Sequence, residues 1–223
     1  MRMRKKKNLI PRMERCAAVH VQDGFALRGK WLETLMPEAR ELRVELGCGK
    51  GRFTVETAQN HPDLLFVAIE KVPDAMVIAM ERAMELNLKN VFFVVGDAAL
   101  VPEYFAEDEV DLIYVNFCDP WPPKGQAKRR LTHRGFLTTY RKALKMGGQV
   151  HFKTDNSPLF EFSVEEFPEA GYELSEVTRH LHENGPCGVM TDYEAKFYAE
   201  GIRINRCVGT KVELPEQQTT LPE

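Results

Sequence analysis

The sequence predicts an α/β fold, a mostly parallel sheet with helices on both faces and an antiparallel pair of strands at its C-terminal end. Three observations carry this expectation. Short β-branched and aromatic runs, such as VDLIYV at 110–115, alternate with stretches of helical length, which is the pattern of βαβ units. The run at 110–115 is of the kind that makes a strand buried on both faces. The last two runs, 172–181 and 197–211, are long and alternating, and a Gly/Pro loop at 184–188 separates them.

In chain order, residues 13–36 read as a mixed, helical lead-in around Trp31 that ends at Pro37. Residues 42–46 are the first strand and run into the turn Gly47-Cys48-Gly49-Lys50-Gly51, followed by a helix over 52–59. The second strand, 64–69, ends in Glu70. Pro73 then opens a helix rich in Ala and Met that reaches Leu86, since Pro suits a first helical turn. Its Met76, Met80 and Met84 recur every four residues, a spacing that reads as core packing. The third strand, 91–95, ends at Gly96 and Asp97, and the fourth, 110–115, ends near Cys118. A helix over 134–145 stops at Gly147-Gly148. Residues 149–153 form the fifth strand, with Thr154, Asp155 and Asn156 at its end.

At 223 residues the chain fits one α/β domain with a large core, and no linker divides it. The expected organisation is a basic, flexible arm over 1–15, a single domain over 16–212 and a polar tail over 213–223. No apolar run approaches the length of a membrane span, so no membrane partner is expected. The basic start lacks the apolar core and cleavage site of a signal peptide, so the expected setting is cytoplasmic. Cys16, Cys48, Cys118, Cys187 and Cys207 are odd in number, scattered and without a CxxC pair. That argues against a disulfide framework and a zinc cluster, and no metal is expected.

A net charge of −3 argues against a nucleic-acid partner only if charge is spread evenly. It is not. Residues 1–15 hold Arg2, Arg4, Lys5, Lys6, Lys7, Arg12 and Arg15 against Glu14 alone, and a cluster sets the field within a Debye length of about 8–10 Å. Taken alone, such a tail equally fits a disordered terminus.

The most informative stretch is NFCDPWPPKGQAKRRL at 116–131. Where the fourth strand leaves the sheet it places a carboxylate, Asp119. Pro120, Trp121, Pro122 and Pro123 follow and stiffen the exit, because proline forbids both helix and ladder. Lys124, Lys128, Arg129 and Arg130 come next with no acid among them. Positive charge beside a planar ring suits a nucleic acid, although a Pro-rich turn before a solvated helix would look alike in isolation.

Acids also mark the carboxyl ends of the parallel strands: Glu45 within the first, then Glu70, Asp97, Asp119 and Asp155. Ligands of open α/β sheets bind just beyond those ends. The Gly47-x-Gly49-x-Gly51 turn lets backbone approach a ligand closely, but Arg52 breaks the spacing of dinucleotide binders and no phosphate loop is present. A crevice ringed by acids repels pyrophosphate. It suits a cofactor with ribose hydroxyls, amines and a positive sulfonium, as in S-adenosylmethionine, with Glu70 on the ribose hydroxyls, Asp97 facing the adenine amine and Glu45 near the methionyl amine. Each acid alone could equally cap a helix.

Together these residues resemble the bacterial tRNA (guanine-N7)-methyltransferases, a family of class I S-adenosylmethionine-dependent enzymes with a Rossmann-like fold. The likeness runs through nearly the whole chain: MRMRKKK, Gly29-Lys30-Trp31, VELGCGKG, Glu70, Asp97, NFCDPWP followed by KRRL, HFKTDN, and Thr191-Asp192-Tyr193-Glu194. It implies methyl transfer to N7 of a guanine in tRNA, at position 46 in the variable loop. By position it implies cofactor contact by Glu45, Glu70, Asp97 and Asp119, with Gly47 and Gly49 in the cofactor turn, and Asp119 as the catalytic residue. RNA contact falls to Gly125, Gln126, Ala127, Lys128, Arg129 and Arg130, and substrate contact to Asp155, Thr191, Asp192, Tyr193 and Glu194. The family often has Lys directly after DPWP. Here Pro123 stands there and Lys124, the substrate-lysine candidate, follows. The chain is expected to act as a monomer or homodimer. Two other readings fit the residues: methylation of an exocyclic amine, which a [DNS]-P-P-[YFW] loop would serve, and a non-catalytic tRNA-binding module.

Overall fold

The computed structural model describes residues 8–214; residues 1–7 of the expected arm, the tail from 215 onward and the side chain of Lys124 lie outside the described residues. Seven strands form the sheet: β1 (Leu42–Leu46), β2 (Leu65–Glu70), β3 (Val91–Val95), β4 (Val110–Asn116), β5 (Leu144–Thr154), β6 (Tyr172–Thr178) and β7 (Asn205–Lys211). Their order is β3-β2-β1-β4-β5-β7-β6. The first five run parallel, and β7 pairs antiparallel with both β5 and β6. This is the expected class. Strand order reverses at β1, which pairs with β2 on one side and β4 on the other, and such a reversal opens a crevice beyond the strand ends.

The helices are α1 (Leu9–Arg15), α2 (Trp31–Leu35), α3 (Arg52–Asn60), α4 (Pro73–Glu85), α5 (Val101–Tyr104), α6 (Arg134–Ala143), α7 (Ser157–Glu169) and α8 (Asp192–Ala199). Because successive strand residues point to opposite faces, the apolar strands feed two cores. Val44, Val67, Ile113, Val150 and Phe152 pack with Leu137 and Tyr140 of α6 and Phe160 of α7. Phe66, Ala68, Phe93 and Tyr114 pack with Phe53 of α3 and with Met76 and Met80 of α4. Met84 is 38% exposed, so the methionine face is core only over its first two turns. Trp31 is fully buried, and its indole Nε1 donates to the Tyr104 carbonyl at 2.8 Å.

Four elements differ from the sequence expectation. Residues 9–15 of the expected flexible arm form α1, whose Arg12 Nε donates to Glu81 of α4 at 2.7 Å. The helix expected to reach Lys145 stops at Ala143, because Leu144 already pairs with Val110 and the register shift before Leu112 absorbs Gly147, at φ 75°, and Gly148. A helix, α7, occupies residues to which no element was assigned. Asn156 caps it, accepting from the Leu159 N–H at 2.8 Å, with Pro158 in its first turn. The run expected as strand over 197–211 is split, with α8 taking its first residues and β7 beginning at Asn205.

α8 has a reciprocal cap. Thr191 Oγ1 accepts from the Glu194 N–H at 2.9 Å, and Glu194 Oε2 accepts from the Thr191 N–H at 3.2 Å. This is the T-x-x-E capping box. The same carboxylate is fully buried, accepts from Lys153 Nζ of β5 at 2.6 Å and meets His182 Nε2 at 3.0 Å. Tertiary pairing thus decided against the local strand pattern.

Two stability outcomes follow. Lys153 and Glu194 are both buried, and removing one partner of a buried ion pair strands the other charge; Lys153→Met should cost about 3–5 kcal/mol in urea unfolding, with the added Glu194→Gln recovering part of it. Gly51 has φ 75°, and a Cβ there would lie 2.2 Å from Ala79 Cβ. Gly51→Ala should therefore lower the unfolding free energy by ~2–4 kcal/mol, through left-handed strain plus overpacking, at an unchanged m-value.

Candidate functional site

Beyond the carboxyl ends of β1 to β4 lies a cleft of about 530 Å³. The strand ends and the loops after them bring Gly47, Glu70, Asp97, Asp119, Lys128 and Arg129 to its walls. A second recess of about 260 Å³ adjoins it, lined by Glu45, Gly47, Gly49, Thr191, Asp192 and Tyr193 among others. Gly47, Asn116 and Phe117 line both, so the two form a bent groove over the reversal point. Gly125, Gln126, Ala127, Arg130, Asp155 and Glu194 line neither. Glu194 is enclosed by its Lys153 and His182 partners, so it shapes the recess wall from behind.

Each acid has a definite environment. Glu45 is 2% exposed; Thr54 Oγ1 of α3 donates to one oxygen and Asn116 Nδ2 of β4 to the other, the latter at 2.9 Å. Burial pushes its carboxyl up, against the lowering effect of those two bonds. Glu70 braces the glycine turn: its oxygens accept from the Gly49 N–H at 2.9 Å and the Val72 N–H at 2.8 Å. Asp97 sits below the usual carboxylate range because the Ala99 N–H and then Lys71 hydrogen-bond it; Lys71 Nζ lies 2.6 Å away. Asp119 is exposed to the cleft, and no described residue donates to its carboxylate. Cys118 beside it is half-buried at the cleft wall, and desolvation pushes its thiol up to about 12.

The Asp119 loop is held in an unusual shape. Phe117 and Trp121 have φ of 52° and 41°, a left-handed conformation that costs a side-chain-bearing residue ~1–2 kcal/mol and persists only where surroundings enforce it. The Arg129 guanidinium lies 3.5 Å from the Trp121 ring centroid. Arg130 Nε donates to the Pro120 carbonyl at 2.9 Å and its Nη2 to the Trp121 carbonyl at 3.2 Å. The basic cluster therefore faces two ways, with Lys128 and Arg129 exposed at the cleft and Arg130 turned to its own chain.

Sequence reasoning did not single out Asn116. Its Oδ1 is buried and has no partner among the described residues, and a buried acceptor without a donor is costly enough to need a reason. Since the Glu45 carboxylate requires the amide NH₂, the oxygen is the end left over at the junction of the two recesses. An unpaired acceptor at that point can take a hydrogen bond from a ligand's hydroxyl or amine. The signal available in sequence was its position as the last residue of a strand. Among the described residues, no group of three or more His, Cys, Asp or Glu could hold a metal ion, and no helix is long and apolar enough to cross a membrane.

Residues 39–207 match the family model described as "Putative methyltransferase". The chain is 42% identical over 200 residues to the tRNA (guanine-N(7)-)-methyltransferase of Geobacillus thermodenitrificans (strain NG80-2), which covers 89% of this chain and 91% of that protein. A protein of the same name from Clostridioides difficile (strain 630) is 38% identical over 216 residues, covering 95% of this chain and 99% of its own. Among solved structures, 16S rRNA methyltransferase KamB superposes with a TM-score of 0.63 at 17% identity, over 82% of this chain and 93% of that one; at that identity the likeness shows a shared fold. The strand order, the cleft at its reversal point and this degree of similarity over most of the chain agree: the chain belongs to the tRNA (guanine-N(7)-)-methyltransferase family.

Proposed function

We propose that the chain methylates N7 of a guanine in tRNA, at position 46 of the variable loop, using S-adenosylmethionine, in the cytoplasm. The observation that carries this reading, beside the family, is the charge arrangement of one cleft. Glu70, Asp97 and Asp119 line it, and apart from Lys71, which is paired with Asp97, its cations stand on the Trp121 side as Lys128 and Arg129. A neutral or cationic small molecule fits the acidic part, and phosphate fits the rim.

When bound, S-adenosylmethionine supplies an electrophilic methyl group on a sulfonium. Glu70 and Asp97 would hold its ribose hydroxyls and adenine amine; each carboxylate oxygen can accept a second hydrogen bond beyond those it already makes. Gly47, Gly49, Glu45 and the free acceptor of Asn116 would lie near its methionyl end. Guanine N7 has an in-plane lone pair and carries no proton, so the protein's task is orientation and charge stabilisation. Asp119 would serve both. Its carboxylate can accept from the donors on guanine's Watson–Crick edge and offset the positive charge that develops on the base. Thr191, Asp192 and Tyr193 present the substrate side of the second recess, with Asp155 and Lys124 near the same strand ends in sequence. Lys128 and Arg129 offer phosphate contacts, and Gly125, Gln126 and Ala127 lie in the same 3-10 turn (Lys124–Arg129).

Incubation with labelled S-adenosylmethionine and unmodified tRNA, followed by nucleoside analysis, should yield 7-methylguanosine; label on an exocyclic amine, or none, would refute the reading. Asp119→Asn should lower the single-turnover rate roughly 10²–10³-fold, the worth of one preorganised electrostatic contact. Because no proton leaves N7, that rate should show no basic limb through neutral pH. A limb that vanished in Asp119→Asn would mean the carboxylate acts as a base.

A further inference from the structure

Arg130 belongs by sequence to the basic run that the family resemblance gives to RNA, yet its guanidinium is engaged within the chain. Nε and Nη2 donate to the carbonyls of Pro120 and Trp121, and the guanidinium carbon lies 4.3 Å from the Phe162 ring centroid of α7. Those carbonyls belong to the two residues directly after Asp119. The segment cannot hold itself, because Pro120, Pro122 and Pro123 have no N–H to donate, and Phe117 and Trp121, one on each side of Asp119, are both left-handed. A planar fork resting on an aromatic ring can bind two neighbouring carbonyls at once, whereas an ammonium is a point charge without a stacking face. Arg130 is half-buried and lines neither recess, while Lys128 and Arg129 are exposed at the cleft.

We propose that Arg130 is the positioning residue of the Asp119 loop, acting through the Pro120 and Trp121 carbonyls and not through tRNA phosphate. Its kinetic consequence rests on the tRNA-methylation reading; its structural consequence does not. α7 thereby becomes part of the site's support, since Phe162 gives the guanidinium its seat.

The test uses the full chain with Arg130→Lys, which keeps the charge and loses the fork, and Arg130→Ala. Three quantities are read. Trp31 is fully buried, so acrylamide quenching of tryptophan emission reports mainly Trp121, and quenching should rise in both variants. Single-turnover transfer at saturating tRNA should fall roughly 10–10²-fold in both, as for a misplaced catalytic group. The slope of log tRNA affinity against log salt should stay at the wild-type value in both. The proposal is overturned if Arg130→Lys matches the wild type in quenching and rate, because charge alone then suffices. It is equally overturned if Arg130→Ala flattens the salt slope by about 0.7–0.9, one phosphate contact, with the saturating rate unchanged. Should Arg130→Ala fail to fold, Arg130→Lys decides. Should the wild type make no 7-methylguanosine, the methylation reading fails while quenching still decides the loop assignment.

Discussion

The buried carboxylate of Glu45 ties together the three elements that meet under the groove. It sits near the end of β1, and its partners come from the first turn of α3 through Thr54 and from the last residue of β4 through Asn116. β1 and β4 are the strands between which the strand order reverses, so this tie fixes the spacing of the floor on which both recesses stand. It is also a destabilising arrangement. Burial raises the Glu45 carboxyl, so its ionised form is less favourable in the folded chain than in the unfolded one, and folding stability falls as pH rises from the unfolded toward the folded value. A cost retained at the junction of the two recesses, with the Asn116 acceptor left unpaired beside it, is the kind of perturbation that functional sites concentrate.

From that floor the groove divides by charge. On the β2 and β3 side, backbone N–H groups fix the direction of Glu70 and Asp97, and Lys71 pairs with Asp97. On the β4 side a proline-stiffened loop carries Asp119 and Trp121, and Lys128 and Arg129 stand beside it. A small molecule with amines and hydroxyls and a polyanion can therefore approach the same atoms from opposite sides without competing for one kind of residue. The acidic body of the chain does not oppose this, because screening confines the influence of distant charges to about a Debye length.

The outer wall of the second recess depends on a different buried cluster. Lys153, His182 and Thr191 all converge on Glu194, linking β5, the loop before α8 and the α8 N-terminus. Arg82 of α4 adds a contact to Asp192 at 3.2 Å and donates to the Lys50 carbonyl in the glycine turn at 3.0 Å. Thr191, Asp192 and Tyr193 are thus placed by residues distant in sequence, and Glu194, their neighbour in the motif, serves as their anchor.

The sequence by itself determined the class of fold, the first four strands to within a residue or two, and the acids at or near their ends, because short β-branched and aromatic runs alternating with helical stretches are the pattern of βαβ units. It also marked where the Asp119 loop leaves the sheet, since its prolines forbid both helix and ladder. It did not determine which way a guanidinium would turn: Arg129 and Arg130 are adjacent and chemically identical, and only the nearness of Phe162 and the Pro120 carbonyl separates their roles. Nor did it determine α8, although the T-x-x-E cap was legible at 191–194, because the alternating pattern from 197 onward was an equally good strand. Lys153 and His182 settled that contest. They lie 41 and 12 residues from Glu194 along the chain, and leaving a buried charge without its partner is costly, a constraint that local periodicity does not record. The same reason accounts for Asn116, whose unpaired oxygen becomes visible only once Glu45 has claimed the other end of its amide.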